Sequence, residues 1–154
     1  MKKLIILFLT ILISITAQAQ FAIKGGMSFA KYETKTVVVT GQYNYGLLVV
    51  SSDIFIPTTK TDKVSAAGRV GIGIGGDLIR IVGDAVIRYE NKYFRCGYGG
   101  EINLNLVGPF GVFTRWSKTY PIIENCGYPE VLWGYGRNEF SFGIKFDLTE
   151  GWYF

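Results

Sequence analysis

Three glycines of this chain have the spacing of a known binding motif. Gly71, Gly73 and Gly76 lie in the stretch RVGIGIGGDLIRIVGDAVIRYE, from Arg69 to Glu90, and satisfy the G-x-G-x-x-G pattern of a dinucleotide-binding turn. Glu90 follows at about the distance at which such a fold places its ribose-binding acid. That turn requires a strand before the glycines and a helix after them, so the surrounding elements decide what the motif means.

Three carboxylates offer a second chemistry, general acid and base catalysis by paired acids. Asp84, Glu101 and Asp147 could converge inside a closed fold. Each has a basic residue nearby on the same predicted strand face, and structural ion pairs are the more frequent explanation of such neighbours. Histidine is absent, which excludes Ser-His-Asp and Cys-His arrangements. We therefore assign no catalytic residue and expect a non-enzymatic protein without a cofactor.

Cys96 and Cys126 are the only two cysteines of the chain. Without histidine or a second cysteine pair they do not provide the ligands of a zinc site, so we expect no metal. A disulfide between them and two free thiols both remain open. The disulfide would persist only in an oxidising compartment, which export would provide.

The N-terminus predicts export. Lys2 and Lys3 precede an apolar run from Leu4 to Ile15, and the small-residue pattern Ala17-Gln18-Ala19 follows. This is typical of a cleaved signal peptide over residues 1–19. The alternative of an uncleaved membrane anchor would need about 20 apolar residues, which this run does not reach. The remaining residues, 20–154, have the length of a single domain.

The charge of the chain argues against nucleic acid as a partner. The formal net charge is +4, two of these charges belong to the leader lysines, and no basic run follows. The part after the leader is rich in glycine, tyrosine, phenylalanine and β-branched residues, a composition that favours β-structure.

The hydrophobic period after the leader is two, which predicts strands. The break at Gly108-Pro109, between the apolar faces of EINLNL and the segment from Phe110, indicates the best local hairpin. Residues 31–42 remain open between strand and loop. The predicted strands, about eight in number, cover 21–30, 43–55, 65–74, 78–89, 93–106, 110–118, 130–136 and 139–148.

The same period of two indicates whether the glycine motif belongs to a dinucleotide-binding turn or to a strand. Gly71, Gly73 and Gly75 share one parity, and Ile79 and Ile81 in the following segment are β-branched and favour a strand over a helix. We therefore interpret the dinucleotide fingerprint as accidental. The stretch instead predicts a strand with a glycine inner face, an apolar outer face and a turn at 75–77.

One face of each predicted strand is apolar, as at Phe140, Phe142, Ile144 and Phe146. In a soluble sandwich this face would point into the core, whereas in a membrane barrel it would point towards lipid. The other face carries glycines and charges of both signs, which suits the narrow interior of an eight-stranded barrel. The predicted lumen charge network consists of Arg80, Asp84, Arg88, Glu101, Arg115, Lys145 and Asp147.

Aromatic residues collect near the predicted strand ends, as at Tyr93, Trp116 and Trp133, in the manner of interfacial girdles, although aromatic core packing is an alternative. The segments FAIKGGMSFAKY and NEFSFGIKFDL, together with the AQAQ leader end, resemble the terminal strands of small OmpA/OmpX-like, porin-like outer-membrane barrels of Gram-negative bacteria, with a leader of the Bacteroidetes type.

The resemblance implies an antiparallel up-and-down transmembrane β-barrel of about eight strands in the cell outer membrane. It implies outer-membrane lipid and the outer-membrane assembly machinery as partners, with the terminal aromatic Phe154 as the residue that the machinery reads. In that family tight turns face the periplasm and long loops face outward. The predicted strand count reverses this order, because it places the Gly108-Pro109 turn outside and the longer 121–129 loop inside.

Three functions are therefore in competition. The first is a non-enzymatic outer-membrane β-barrel protein with a structural or surface-interaction role. The second is a soluble periplasmic or secreted β-sandwich or calyx that binds a small apolar ligand. The third and most remote is an exported enzyme that uses carboxylates.

Overall fold

The computed structural model describes residues 20–30, 35–59, 63–76, 78–90, 92–125 and 128–149. The predicted signal peptide, Trp152 and Phe154 lie outside these residues, so those predictions remain predictions. The elements are β1 (Gln20–Ala30), β2 (Thr36–Tyr45), β3 (Leu48–Pro57), β4 (Ser65–Gly75), β5 (Ile79–Glu90), β6 (Tyr93–Val107), β7 (Phe110–Asn125), β8 (Tyr128–Val131), a 3-10 helix (Trp133–Tyr135) and β9 (Arg137–Asp147).

Eight of these strands form a closed ring. Each is antiparallel to both neighbours in the order β1-β2-β3-β4-β5-β6-β7-β9, and β9 pairs with β1 to complete the barrel. The short β8 pairs only with the far end of β7 and extends that strand as a hairpin beyond the ring. The predicted all-β, antiparallel up-and-down barrel of about eight strands is confirmed. No helix in the described part of the chain has the length and apolar character needed to cross a membrane.

The predicted strand 43–55 is wrong, because a turn at Gly46-Leu47 divides it between β2 and β3. Gly46 has φ 58°, a left-handed conformation that glycine adopts without steric cost. A glycine of this kind at the first position of a two-residue loop matches the twist of the flanking strands. Most of β2 comes from the region 31–42 that the sequence left open.

The predicted barrel strand 130–136 is also wrong. Only its first residues belong to a strand, the four-residue β8, and a 3-10 helix follows. Pro129 has no N–H to donate to a ladder, so it suits an edge strand that pairs on one side. The Trp133 ring then packs against Tyr120 on the outside of the barrel, at 4.8 Å between centroids. This long-range packing turns the segment away from the ring.

The apolar face of the strands lies on the outside of the barrel. Phe140, Phe142 and Ile144 are 47, 48 and 69 % exposed, whereas Ser141 and Lys145, which have the opposite parity on the same strand, are buried. The interior is not purely polar, since one cluster of apolar side chains also points inward. It consists of Val38, Phe55, Ala67, Val86 and Phe113.

The glycine stretch forms a strand with the predicted faces. Val70, Ile72 and Ile74 on β4 are exposed, and Gly71 and Gly73 lie on the inner face between them. The next element is the strand β5 and not a helix, so the dinucleotide turn does not form. This outcome confirms that the fingerprint is accidental. Asp77 of the predicted turn lies outside the described residues.

The two ends of the barrel differ in their connections. One end, which we call the turn end, holds Gln20, Asp147 and the short connections β2–β3, β4–β5 and β6–β7. The other, the loop end, holds the connections β1–β2, β3–β4 and β5–β6 and the β7–β8 hairpin. The two-residue loop Gly108-Pro109 therefore lies at the same end as Gln20 and Asp147, and the 121–129 segment lies opposite. The predicted reversal is wrong because it counted 130–136 as a barrel strand and missed β2.

Candidate functional site, a charged barrel interior

All seven residues of the predicted lumen network lie on the inner face of the barrel, but they do not form one network. Arg80, Asp84 and Arg88 come from β5, Glu101 from β6, Arg115 from β7, and Lys145 and Asp147 from β9. Their contacts divide them into three groups along the barrel axis. One group is central, one lies towards the loop end and one lies at the turn end.

The central group is a chain of alternating charges, which we call the central ion chain. It runs Lys24, Glu101, Arg115, Asp53, Arg69, Asp84, with each residue paired to the next. Lys24 donates to Glu101, and Arg115 Nε donates to Glu101 Oε2 at 2.7 Å. On its other side Arg115 Nη1 donates to Asp53 Oδ1 at 2.8 Å. Arg69 links Asp53, at 2.6 Å, to Asp84, at 3.2 Å.

The central ion chain is almost completely removed from water. Lys24 is 0 % exposed, and Glu101 and Arg115 are each 2 % exposed. Burying a charge is costly unless it is paired and its remaining hydrogen-bonding capacity is used. Here three cations alternate with three anions, and neutral side chains supply further hydrogen bonds. Gln42 Oε1 accepts a hydrogen bond from Lys24 Nζ, Asn103 donates to Glu101, and Thr40 donates to Asp53.

Glycines on the neighbouring strands make room for the last carboxylate of this chain. Asp84 lies between Gly71 of β4 and Gly99 of β6 in the sheet register. A Cβ at Gly71 would lie 2.8 Å from Asp84 Cβ, and a Cβ at Gly99 would lie 2.9 Å from Asp84 Oδ1. The first glycine of the apparent nucleotide motif thus creates space for an interior carboxylate.

The second group closes the interior towards the loop end. Arg88 and Arg137 each contact both Glu90 and Glu139, so that two cations and two anions form a ring. Arg88 also donates to Ser65 Oγ at 2.8 Å, and its guanidinium carbon lies 4.0 Å from the centroid of an interior aromatic ring. These pairs connect β5 with β9, two strands that are not neighbours in the ring.

The third group lies at the turn end. Lys145 Nζ contacts Asp147 Oδ2 at 2.7 Å and Asn105 Oδ1 at 2.8 Å. Arg80 donates from Nη2 to the backbone carbonyl of Gly46 at 2.5 Å, which ties β5 to the β2–β3 turn. These contacts connect β9 with β6, and β5 with the β2–β3 turn, at the end that holds Gln20 and Asp147.

Each of the three candidate catalytic acids pairs with a different cation. Asp84 pairs with Arg69, Glu101 pairs with Arg115, and Asp147 pairs with a lysine of its own strand. General acid and base chemistry needs two carboxylates that face a common reacting group. In the described residues these carboxylates instead face cations. No group of three or more potential metal-ligating side chains occurs in that part of the chain either.

Sequence reasoning left several charged interior residues out of the network. Asp53 was missed because the strand 43–55 was given the wrong bounds, although the alternation Val49, Ser51, Asp53, Phe55 indicates the inner face. Lys24 and Arg69 have the parity of the predicted charged face, but no local pattern connects them with a partner. The interior residues that form ion pairs outside the predicted network are Lys24, Asp53, Arg69, Glu90, Arg137 and Glu139.

The possible disulfide between Cys96 and Cys126 is not supported. Cys96 carries a free thiol on β6 and has the same parity as the outward-facing Tyr98 and Ile102. Cys126 lies outside the described residues.

Comparisons with protein-family models, curated proteins and solved structures give no match to this chain. The features that bear on its function are therefore the polarity of the two faces of the barrel and the connections at its two ends.

Proposed function

We propose that this chain is a non-enzymatic β-barrel protein of a bacterial outer membrane, with a structural or surface-interaction role, and that it resembles the OmpA/OmpX type. The observation that carries the proposal is the inverted distribution of polarity. Charged and polar side chains occupy most of the interior, and large apolar side chains cover the outside. In water this arrangement exposes the hydrophobic surface that folding normally removes, whereas in a bilayer it is the favourable one.

The outer face continues around the ring. Each of the eight barrel strands contributes at least one large hydrophobic residue that is more than a third exposed, for example Ile23, Val39, Ile54, Ile72 and Ile87. Monomeric soluble proteins rarely expose apolar patches larger than a few hundred Å². A band that encircles a barrel is instead the surface that lipid tails cover.

Aromatic side chains border this band. Towards the loop end the exposed aromatics include Tyr89, Tyr93, Trp116 and Trp133, and at the turn end Phe110 packs against an aromatic ring of β9. Amphipathic rings at both margins of an apolar band are the pattern of interfacial girdles. Tyr120 is not an exposed member of these girdles, because the Trp133 side chain covers the Tyr120 ring.

The two ends of the barrel also support the proposal. In the family that the terminal strands resemble, tight turns and chain termini share the periplasmic end, and longer connections lie outside. The turn end and the loop end of this chain divide in the same way. The loop end would then face the exterior.

The loop end offers a surface for interaction. The β7–β8 hairpin extends past the last β6–β7 pair at Phe94 and Ile122. Beside it lies an open cleft of about 580 Å³, within the size range of small-molecule and peptide sites. The cleft is lined by Lys92, Tyr93, Phe94, Ile122, Ile123, Glu124 and Pro129.

A soluble calyx that binds a small apolar ligand is the alternative. A calyx needs an apolar cavity within the barrel. In the described residues the central ion chain occupies the middle of the interior and leaves Lys24, Glu101 and Arg115 without contact to water. The outward position of Phe140, Phe142 and Ile144 likewise favours lipid over water as the outer medium.

Fractionation of cells that express the full chain tests the proposal directly. We expect the protein in the outer-membrane fraction, with a folded form that resists detergent and migrates differently on a gel before and after boiling. Recovery in the soluble periplasmic fraction, with no shift on boiling, would instead establish the calyx.

A substitution on the outer face gives a quantitative test. Ile102→Lys places a charge in the middle of the apolar band, because Ile102 lies opposite Thr114, midway between Phe110 and Lys118. There we expect it to reduce the free energy of unfolding in lipid vesicles by about 2–4 kcal/mol. The reason is that the lysine must leave water to enter hydrocarbon. Urea unfolding of the vesicle-bound protein measures the difference.

Val107→Lys is the matched control, because Val107 is 79 % exposed and adjoins the turn Gly108-Pro109. At the margin of a bilayer the same charge costs about 0–1 kcal/mol. If the outer face meets water instead, both lysines lie on an aqueous surface and both changes stay within about 0.5 kcal/mol. Equal small effects at the two sites would contradict the proposed membrane location.

A further inference from the structure

Lys118 is the one charged residue at an outward position where two barrel strands pair with each other, as far as the structure describes them. On β7 these positions are every second residue from Phe110 to Ile122, and Glu124 has the same parity but lies in the β7–β8 hairpin beyond the ring. On every other barrel strand the described outward positions are uncharged. A lysine facing a proposed lipid surface is costly unless its ammonium reaches the interface, so its position along the wall decides its role.

The position of Lys118 places it at one margin of the apolar band. It follows Phe110 by eight residues on β7, and that distance corresponds to about 20 Å of height for a strand with a rise of about 3.3 Å and a tilt of about 40°. The apolar band of such barrels is about 25 Å tall. On the neighbouring β9 the apolar run also ends at this level, because Asn138 lies opposite Lys118 and precedes Phe140.

The surroundings of Lys118 hold its side chain in place but leave its charge without an anion. Its ammonium lies 5.6 Å from the centroid of the Tyr120 ring. Gly136 makes room for its stem, since a Cβ there would lie 2.9 Å from Lys118 Cε. Among the described residues no carboxylate forms an ion pair with Lys118. The cation is thus positioned by packing and available to an external anion.

Two further polar groups adjoin Lys118 on the same face. Asn138 of β9 and Tyr98 of β6 are its cross-strand partners, and both side chains are exposed. Directly opposite outward residues have Cβ atoms about 4.5–5.5 Å apart, so an ammonium, an amide and a phenol can reach one ligand. Three hydrogen-bond donors of this kind suit the oxygens of a phosphate.

We propose that Lys118, Asn138 and Tyr98 bind the headgroup phosphate of an anionic lipid in the leaflet at the loop end. The inference rests on the proposed function, because it requires the outer face to lie in a bilayer. A lipid fits the site better than free phosphate does, since aromatic rings surround the cation. Tyr98 contacts Trp116 at 5.9 Å between centroids, and Tyr120 contacts Trp133 at 4.8 Å.

Tryptophan quenching by brominated lipids tests the site, because Trp116 and Trp133 lie beside it. A Trp152→Phe background leaves these two as the only tryptophans of the chain. The protein is refolded into phosphatidylcholine vesicles that contain an equal small fraction of either brominated phosphatidylglycerol or brominated phosphatidylcholine. One basic contact should enrich the anionic lipid by about five-fold near the tryptophans.

Lys118→Met should reduce this preference to parity. Lys63→Met is the matched control, because it removes an equal charge from an exposed position before β4, and it should leave the preference unchanged. Millimolar inorganic phosphate should not compete. The inference is overturned if Lys118→Met retains the preference, if inserted protein shows none, or if free phosphate abolishes it.

The controls separate this inference from the proposal on which it rests. If neither brominated lipid quenches the tryptophans and no heat-modifiable form appears, the membrane barrel itself fails. If both lipids quench equally and the folded form is present, the barrel stands and only the phosphate site is rejected.

Discussion

Replacing Glu101 by glutamine is expected to lower the free energy of unfolding by about 3–5 kcal/mol, as the removal of one partner from a buried ion pair typically does. Glu101 accepts hydrogen bonds from Lys24 and Arg115, and all three side chains are at most 2 % exposed. The glutamine leaves two neighbouring cations without the anion between them. Urea unfolding of the refolded barrel measures the loss.

The double variant Lys24→Met with Glu101→Gln is the control. It removes one cation together with the anion, so the rest of the central ion chain, Arg115, Asp53, Arg69 and Asp84, keeps equal numbers of each charge. Replacing both members of a buried pair costs much less than removing one. We therefore expect the double variant to be more stable than the Glu101→Gln single variant. A double variant as unstable as that single variant would show that Glu101 acts through packing and not through charge compensation.

Gly26→Ala is expected to prevent most of the chain from reaching the closed, heat-modifiable form. Gly26 lies opposite Gly143 where β1 and β9 complete the ring. A Cβ at Gly26 would overlap the carbonyl oxygen of Phe142 and lie 2.9 Å from Gly143 Cα. Overpacking typically costs about 1–3 kcal/mol. Here the obstacle is backbone rather than a side chain that can rotate, so we expect at least about 3 kcal/mol.

The neighbouring residue provides a matched control. Gly25→Ala makes the same chemical change on the same strand, but Gly25 is on the outer face and a Cβ there meets no atom within 4 Å. Its fraction of heat-modifiable protein after refolding should equal that of the parent chain. If the two alanine variants refold equally well, close approach at the β1–β9 seam does not limit closure.

Local patterns predicted the parts of the fold in which a strand and its turn lie close together in sequence. The β6–β7 hairpin around Gly108-Pro109 and the faces of β4 and β5 follow from alternation and turn chemistry alone. The segment 130–136 does not, because its aromatic alternation fits a strand. Trp133 leaves the ring to cover Tyr120, and that contact depends on how β7 lies in the closed barrel.

In the charged interior, too, local patterns predict only the contacts between residues that are close together in sequence. Parity places Arg115 and Glu101 on the inner face and predicts that they meet, since the hairpin brings them into register. No local pattern connects Lys24 with Glu101, which are 77 positions apart in the chain, or Arg115 with Asp53, which are 62 apart. Such pairs arise only when side chains from strands distant in sequence project into one narrow interior.

The sequence by itself therefore determined which residues share a face, because the side-chain period of a strand is two whatever the strand packs against. It did not determine which face lies inside, since the same alternation serves a sandwich and a barrel. The tertiary structure decided this, because pairing of β9 with β1 closes the sheet on itself and leaves the face of glycines and paired charges within. The narrow interior holds glycines, paired charges and one apolar cluster that includes Phe55 and Phe113, and the other large apolar side chains face outward.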